Sequence, residues 1–136
     1  MAKSPEAYVD TSALIALLDR SDTYHARFRH LFAAPPKLAT TSLVIAEGHG
    51  WFLKRYDRYR AMQFMAMIED MTPLTVFPVG PAEIKGATAM MRKYKDQDLT
   101  LADAAGLHQM AVRKLHLCWS TDFHLGLGGV ALVINQ

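Results

Sequence analysis

The chain has 136 residues, of which 51% are hydrophobic and 21% charged, and this ordinary globular balance excludes disordered, collagen-like and coiled-coil proteins. Its net charge of +2 neither requires nor excludes a nucleic-acid partner. The single cysteine, Cys118, cannot form an internal disulfide, which argues against small secreted scaffolds and favours a cytoplasmic protein. No apolar stretch approaches the roughly 20 residues of a membrane span, and MAKSPEAYVD lacks the apolar core of a signal peptide. We expect one cytoplasmic domain over residues 1–136, with no membrane partner.

Short apolar runs alternate with helical patterns along the chain. Strands are predicted at 7–9, 37–40, 74–79, 116–120 and 131–134, and helices at 13–18, 23–33, 43–56, 59–70, 81–95 and 100–114. Ser42 and Thr100 are the predicted N-caps of their helices, and Asp103 completes a weak capping box with Thr100. This alternation predicts an α/β fold with a mostly parallel sheet between helical layers. In such folds the active site lies at the carboxyl ends of the strands, where the strand order reverses.

Four carboxylates lie at positions that are unusual for surface carboxylates, at strand ends or on apolar helix faces. Asp10 and Asp122 each directly follow a predicted strand, so both belong at the same edge of a parallel sheet. Glu47 and Asp103 lie on helices among apolar residues at helical spacing, with no Lys or Arg one turn away. Burying an ionised carboxylate without a partner is costly, so pairing, protonation or a metal ion is expected at these positions.

Each carboxylate also has a structural explanation when it is taken alone. Asp10 can cap a helix, Asp103 can stabilise a helix dipole, and Asp122 can belong to a turn. Glu47 has the weakest such explanation, because the middle of an apolar helix face rarely carries an unpaired Glu. A single hypothesis accounts for all four, namely an Mg²⁺ or Mn²⁺ site that supports phosphodiester hydrolysis.

The residues around these carboxylates resemble the four acidic motifs of PIN domains. The matching segments, in chain order, are YVDTSALIALL, TTSLVIAEGHGWF, LTLADAAGLHQMA and CWSTDFHL. Their order and spacing are most similar to VapC-type toxins of prokaryotic toxin–antitoxin pairs. Each motif is weak by itself, whereas four in the right order over nearly the whole chain are specific.

The resemblance implies a PIN-like three-layer α/β/α sandwich and an Mg²⁺- or Mn²⁺-dependent endoribonuclease. It also implies a homodimer that a cognate VapB-type antitoxin inhibits. Carried over by position, the catalytic carboxylates are Asp10, Glu47, Asp103 and Asp122, and the metal ligands among them are Asp10, Asp103 and Asp122. The neighbouring hydroxyl positions are Thr11, Ser12 and Thr121. We expect Glu47 to position or deprotonate the attacking water.

Two residues depart from the family pattern without removing a ligand. Leu125 stands where many relatives carry Phe, and Gly48 directly follows Glu47 in the middle of a helix. Both departures concern local packing and the fit of the substrate.

A basic segment is a candidate RNA-binding surface. Lys54, Arg55, Arg58 and Arg60 are interleaved with two tyrosines, and this combination can hold phosphates and stack on unpaired bases. A solvated helix junction or a dimer surface explains the same pattern. A second cluster, Arg92, Lys93 and Lys95, is partly offset by nearby aspartates.

Two other functions fit parts of the sequence. The six histidines, among them His49 and His124, allow a metal-free ribonuclease in which His is the general acid and base. We nevertheless expect each of these two at the surface or in a position that supports the acidic residues. A PIN-like domain that binds RNA or protein without cleaving it is the alternative outside enzymes, although such domains usually lose acidic ligands. A phosphoaspartyl hydrolase is disfavoured because Ser12 stands where its second Asp belongs, and no phosphate-binding glycine loop is present.

Overall fold

A computed structural model describes residues 4–136 as a five-stranded sheet covered by helices. The strands are β1 (Ala7–Val9), β2 (Leu38–Thr41), β3 (Leu74–Phe77), β4 (Leu117–Trp119) and β5 (Ala131–Leu132). The helices are α1 (Thr11–Leu18), α2 (His25–Leu31), α3 (Ser42–Arg55), α4 (Arg58–Asp70), α5 (Pro81–Lys93) and α6 (Leu101–Arg113). Short 3₁₀ helices span Phe123–Gly126 and Val133–Asn135.

The sheet has the strand order β3-β2-β1-β4-β5, and all of its neighbouring strands are parallel. The chain first moves outward from β1 to β3 and then returns to the other side of β1, so the order reverses between β1 and β4. Right-handed crossovers therefore place α1 to α4 on one face and α5 and α6 on the other. Contacts of α1 with α2 and α3, of α3 with α4, and of α5 with α6 agree with these two layers.

This architecture confirms the predicted PIN-like α/β/α sandwich. The largest differences from the predicted elements are two residues, and they occur in strands and helices alike: β3 stops at Phe77, β5 stops at Leu132, and α2 is two residues shorter at each end. Ser42 is the first residue of α3 and does not cap it; its hydroxyl instead accepts a hydrogen bond from the Val79 N–H at 3.1 Å. Within residues 4–136, none of the helices combines the length and the apolar character that crossing a lipid bilayer requires.

Gly48 has a packing role that its position after Glu47 does not reveal. It lies in α3 directly against the buried ring of Phe64 from α4, and a Cβ at this position would collide with the ring edge. Phe64 in turn packs against Phe52, with 5.5 Å between ring centroids, so the ring has little room to move. The other departure, Leu125, is fully buried in the main core. Both residues therefore fit the fold closely.

We expect Gly48→Ala to lower the free energy of unfolding by about 1–3 kcal/mol, because the added methyl overpacks a filled interface. Gly50 in the same helix is a matched control, since a Cβ there would meet nothing within 4 Å. Gly50→Ala should raise stability by about 0.5–1 kcal/mol through backbone entropy. Urea unfolding of both variants measures the difference, and equal effects of the two alanines would contradict the packing role of Gly48.

Candidate metal centre

Asp10 lies at the carboxyl end of β1, directly before α1, and its side chain is only 4% exposed. Its backbone N–H donates to the carbonyl of Trp119 at 3.0 Å, which joins it to the end of β4. Although Asp10 precedes α1 as its N-cap residue, its side chain makes no capping hydrogen bond. The carboxylate is therefore not explained as a helix cap.

Two serine hydroxyls hold the Asp10 carboxylate. Ser12 Oγ and Ser120 Oγ each donate to Asp10 Oδ2 at 2.9 Å. Ser120 is fully buried, and its Oγ also accepts the backbone N–H of Asp122 at 2.9 Å. Ser120 therefore couples the carboxylate at the end of β1 to the backbone that carries the carboxylate after β4.

Ser120 is a site residue that the sequence analysis missed. The motif CWSTDFHL contains two adjacent hydroxyls, and Thr121 was expected to orient the site. Thr121 instead contributes its backbone N–H, which donates to Ser12 Oγ at 3.0 Å. Strand alternation could have predicted Ser120. Residues two apart in a strand point to the same face of the sheet, so Ser120 follows the apolar Cys118 on one face.

Asp103 reaches the site from the opposite helical layer. It lies in the first turn of α6 and is 7% exposed. The predicted capping box is present: Asp103 N–H donates to Thr100 Oγ1 at 3.1 Å, and Thr100 N–H donates to Asp103 Oδ2 at 3.2 Å. This reciprocal pair fixes the carboxylate at the start of a helix, where the dipole favours negative charge.

Asp122 and His124 form the more open side of the site. Asp122 Oδ1 accepts the backbone N–H of His124 at 3.0 Å and lies 3.0 Å from His124 Nδ1. One donor atom from each of Asp103, Asp122 and His124 lies within 4.8 Å of the others. His124 was expected at the surface or in a supporting position, and the structure brings it into the acidic cluster.

The electrostatics of the cluster are unfavourable without a cation. Burial raises the pKa of Asp10 to about 6, and the charge of Asp103 contributes to the rise, while the hydrogen bonds from Ser12 and Ser120 oppose it. Burial and the charge of Asp122 likewise raise the pKa of Asp103. Across residues 4–136, His124 with Asp122 is the only pair of a basic and an acidic side chain within 4.0 Å, so no Lys or Arg neutralises these carboxylates.

Glu47 is placed differently from the expectation. Its side chain is exposed on α3, so the predicted burial of this carboxylate among apolar residues is wrong. Leu43, one turn earlier, is half-buried against Ala104 and Ala105 of α6. Glu47 lies beyond this contact, and its side chain is in solvent. Within the described chain, Glu47 is not part of the group formed by Asp103, Asp122 and His124.

The sequence and the site together decide the family. Residues 7–125 match the model of the PIN domain, which is most of the chain and includes all four acidic motifs. The chain belongs to the PIN domain family. Among proteins of curated function, no sequence is significantly similar to this PIN domain.

Several solved structures share the fold of this PIN domain. VapC20 of Mycobacterium tuberculosis, described as a sarcin–ricin loop cleaving toxin, gives a TM-score of 0.83 at 21% identity, with 92% of this chain and 96% of that chain covered. A toxin–antitoxin complex from Klebsiella pneumoniae gives 0.63 at 21% identity, with coverage of 93% and 95%. A protein of Pyrobaculum aerophilum gives 0.66 at 21% identity, with coverage of 98% and 94%. At this identity the likenesses establish the shared fold.

The residues of this PIN domain fit a divalent cation. Carboxylate oxygens are the ligands that Mg²⁺ and Mn²⁺ prefer, and Asp103 and Asp122 lie together here with no Lys or Arg paired to them. Asp10 lies outside the group of Asp103, Asp122 and His124, although the charge of Asp103 contributes to its raised pKa. A second observation concerns Thr11, which follows Asp10: its Oγ1 is the one buried side-chain polar atom of the described residues that has no hydrogen-bond partner. A water molecule near the cluster would satisfy this hydroxyl.

The basic segment lies away from the acidic cluster. Arg55 and Arg60 pack on the ring of Tyr56, at 5.8 and 5.1 Å from its centroid. The Tyr56 hydroxyl donates to Asp19 Oδ1 at 2.9 Å, and Asp19 ends α1, whereas Asp10 precedes it. The eight residues of α1 span about 12 Å, so the segment and the cluster lie at opposite ends of this helix.

Proposed function

We propose that this PIN domain is a metal-dependent endoribonuclease and the toxin component of a type II toxin–antitoxin pair. The observation that carries the proposal is the grouping of Asp103 and Asp122 with His124, beside the buried carboxylate of Asp10, with no Lys or Arg of the described residues paired to these carboxylates. A bound Mg²⁺ or Mn²⁺ would offset the repulsion between these carboxylates. The cluster also lies where the strand order reverses, which is where α/β folds bind ligands. RNA as the substrate is supported by the shared fold with VapC20 of Mycobacterium tuberculosis, which is described as a sarcin–ricin loop cleaving toxin.

The site residues have different roles: some bind the cation, some orient its ligands, and one acts on the attacking water. Asp10, Asp103 and Asp122 would hold the cation, which when bound neutralises the phosphate and activates water for attack. Ser12 and Ser120 orient Asp10 through their 2.9 Å hydrogen bonds. Glu47, as a solvent-exposed carboxylate on α3, is assigned to position the water and accept its proton.

The reaction we infer is hydrolysis at the 3′ side of the phosphate. The water oxygen forms a bond to phosphorus, the P–O3′ bond breaks, and the leaving O3′ takes up a proton. The products are one RNA fragment with a 5′-phosphate and another with a 3′-hydroxyl. These ends distinguish this reaction from attack by the 2′-hydroxyl, which leaves a 2′,3′-cyclic phosphate.

The test is cleavage of total bacterial RNA by the purified protein in Mg²⁺ or Mn²⁺, followed by mapping of new 5′-phosphate ends. Discrete ends are expected with either ion, and none with EDTA or with Asp10→Asn. Cleavage that persists in EDTA and leaves cyclic phosphates would instead support the histidine mechanism. No cleavage by folded protein free of antitoxin would favour a PIN domain that binds RNA or protein without cutting.

We further propose that the partners of this protein are a VapB-type antitoxin and a second copy of the chain. The complex from Klebsiella pneumoniae, which shares the fold over 93% of this chain, is a toxin–antitoxin assembly and supports the antitoxin. The homodimer rests on the family resemblance. Analytical ultracentrifugation of the isolated protein tests it directly, and a monomer at micromolar concentration would contradict it.

The basic segment is proposed to bind the RNA strand outside the acidic cluster. Its cations are exposed or half-buried, and no carboxylate of the described residues pairs with them within 4.0 Å. Beside them lies a cleft of about 520 Å³ whose wall includes Tyr56, Tyr59 and Arg60, and Tyr59 is 69% exposed. Exposed tyrosines beside arginines suit unpaired bases and their phosphates.

Charge reversal tests this surface. Replacing Lys54, Arg55, Arg58 and Arg60 by Glu should weaken RNA binding by Asp10→Asn protein, because phosphate contacts are lost. The slope of log K against log salt should become shallower by about 0.7 for each contact removed. The matched control reverses Arg92, Lys93 and Lys95, and it should leave the slope close to that of the parent. Equal salt slopes for the Asp10→Asn parent and both charge-reversed variants would show that the basic segment does not contact the RNA phosphates.

A further inference from the structure

The acidic cluster contains one nitrogen donor. His124 follows Asp122 by two residues in the first 3₁₀ helix, and its ring lies against the carboxylate with Nδ1 3.0 Å from Asp122 Oδ1. Donor atoms of His124, Asp122 and Asp103 lie mutually within 4.8 Å, which is the spacing of groups that can share one ion. No other His of the described chain belongs to such a group.

The His124 ring is held in place before any ion binds. Its backbone N–H donates to the same carboxylate, Asp122 Oδ1, at 3.0 Å. The neighbouring Phe123 ring packs on the imidazole, with 4.2 Å between ring centroids. Across the cluster, Asp103 is buried and fixed by its capping box with Thr100. Donors fixed in this way lose little freedom on binding an ion.

Nitrogen and oxygen donors select different ions. Mg²⁺ takes oxygen ligands in a strict octahedron. Mn²⁺ also binds oxygen ligands but, as a first-row transition ion, accepts an imidazole nitrogen more readily than Mg²⁺ does. We propose that His124 is a direct imidazole ligand of the cation held by Asp103 and Asp122, and that it makes this site select Mn²⁺ over Mg²⁺. This inference rests on the proposed function, since it concerns the same site, and it names the ion that the site takes.

A hydrogen-bonding role for His124 is the alternative, and one substitution separates the two. His124→Asn keeps a side-chain N–H able to reach Asp122, but it removes the imidazole nitrogen and offers an ion only an amide oxygen, which does not favour Mn²⁺ over Mg²⁺. If the ring only orients Asp122, His124→Asn should bind Mn²⁺ with the affinity of the parent. If the ring binds the ion, His124→Asn should bind Mn²⁺ more weakly.

The experiment is Mn²⁺ binding to the full chain, followed by electron paramagnetic resonance. In the parent, pulsed spectra of bound Mn²⁺ should show coupling to an imidazole nitrogen. His124→Asn should abolish this coupling and weaken Mn²⁺ binding about tenfold or more, with little change in the Mg²⁺ affinity measured by competition. His116→Asn is the matched control, because His116 is exposed and lies before β4, at the opposite end of that strand.

The outcomes distinguish the inference from the proposed function. Bound Mn²⁺ without nitrogen coupling, or an unchanged ratio of Mn²⁺ to Mg²⁺ affinity in His124→Asn, would overturn the role of His124 and leave the metal-dependent nuclease intact. If neither ion binds the parent, and the parent behaves like Asp103→Asn, the metal site itself is wrong and both proposals fall.

Discussion

Asp10→Asn is expected to abolish RNA cleavage and at the same time to stabilise the metal-free protein at neutral pH. The carboxylate is 4% exposed, and no Lys or Arg of the described chain pairs with it. Its pKa is raised from 3.8 to about 6, first by burial, so the folded protein holds the charged form at a cost. Asn keeps the shape of the side chain and removes this charge, along with the ligand that the proposed reaction needs.

The stability gain depends on pH in a direction that follows from the raised pKa. Between about pH 4 and pH 6 the folded state binds more protons at Asp10 than the unfolded state does, so parent stability falls as pH rises through this window. Above about pH 6, Asp10 is ionised in both states, and the folded protein bears the full free-energy cost of burying its charge. We therefore expect Asp10→Asn to be more stable by about 1–3 kcal/mol at pH 7.5, with a gain that vanishes towards pH 4.

Urea unfolding in EDTA from pH 4 to pH 8 measures this dependence. Asp70→Asn, an exposed carboxylate at the end of α4, is the control and should show no such trend. Saturating Mn²⁺ should reverse the order of stabilities, because an ion at 1,000 times its Kd stabilises the parent by about 4.1 kcal/mol and the variant lacks a ligand. A variant less stable than the parent at every pH in EDTA would contradict the assignment of Asp10 as a strained metal ligand.

Ser120→Ala is expected to have the second largest effect, on the pH dependence of cleavage. The Ser120 hydroxyl donates to Asp10 Oδ2 at 2.9 Å and favours the ionised form. A hydrogen bond to a charged group contributes about 1.5–3 kcal/mol, which corresponds to a rise of roughly 1–2 in the pKa of Asp10 when it is removed. The acid limb of kcat/KM should therefore move upward by at least about one pH unit.

The readout is the pH profile of kcat/KM at subsaturating Mn²⁺. Activity of Ser120→Ala should fall by about 3-fold to 25-fold at pH 6.5, according to the size of the pKa rise, and recover in large part at pH 8.5. A loss that only reflects disturbed packing would be similar at both pH values. Thr88→Ala on α5, which removes a hydroxyl bonded to the carbonyl of Ile84, is the control for hydroxyl deletion. An unshifted acid limb would show that Ser120 does not act through Asp10.

Much of the fold was predictable because it depends on local patterns. The strand at Ala7–Val9 and the helices that begin at Pro81 and Leu101 were predicted within a few residues. Apolar runs, a proline at the first helical turn and a capping threonine are signals that a short segment carries by itself. The ends of strands and helices were less certain, because they depend on pairing and packing with distant residues. β3 stops two residues early, at Phe77, and α2 is two residues shorter at each end than predicted.

The acidic residues illustrate the limit of helical periodicity. The same argument predicted burial for Glu47 and Asp103, and it is right for Asp103 and wrong for Glu47. Apolar neighbours at helical spacing show which side of a helix tends inward. How far the partner layer extends over that side depends on how α3 and α6 meet, and this contact lies between segments about 50 residues apart in the chain.

The sequence by itself determined the family and the parallel α/β architecture, because motif order and hydrophobic periodicity are properties of the chain. It also predicted which carboxylates form the site. The tertiary structure alone decided that Ser120 bridges Asp10 to the Asp122 backbone, and that His124 joins the acidic cluster. It also explained Gly48 by the ring of Phe64. The physical reason is the same in each case: a hydrogen bond, a shared ion or a packing contact is set by distances of a few ångströms, and these arise only when remote segments fold together.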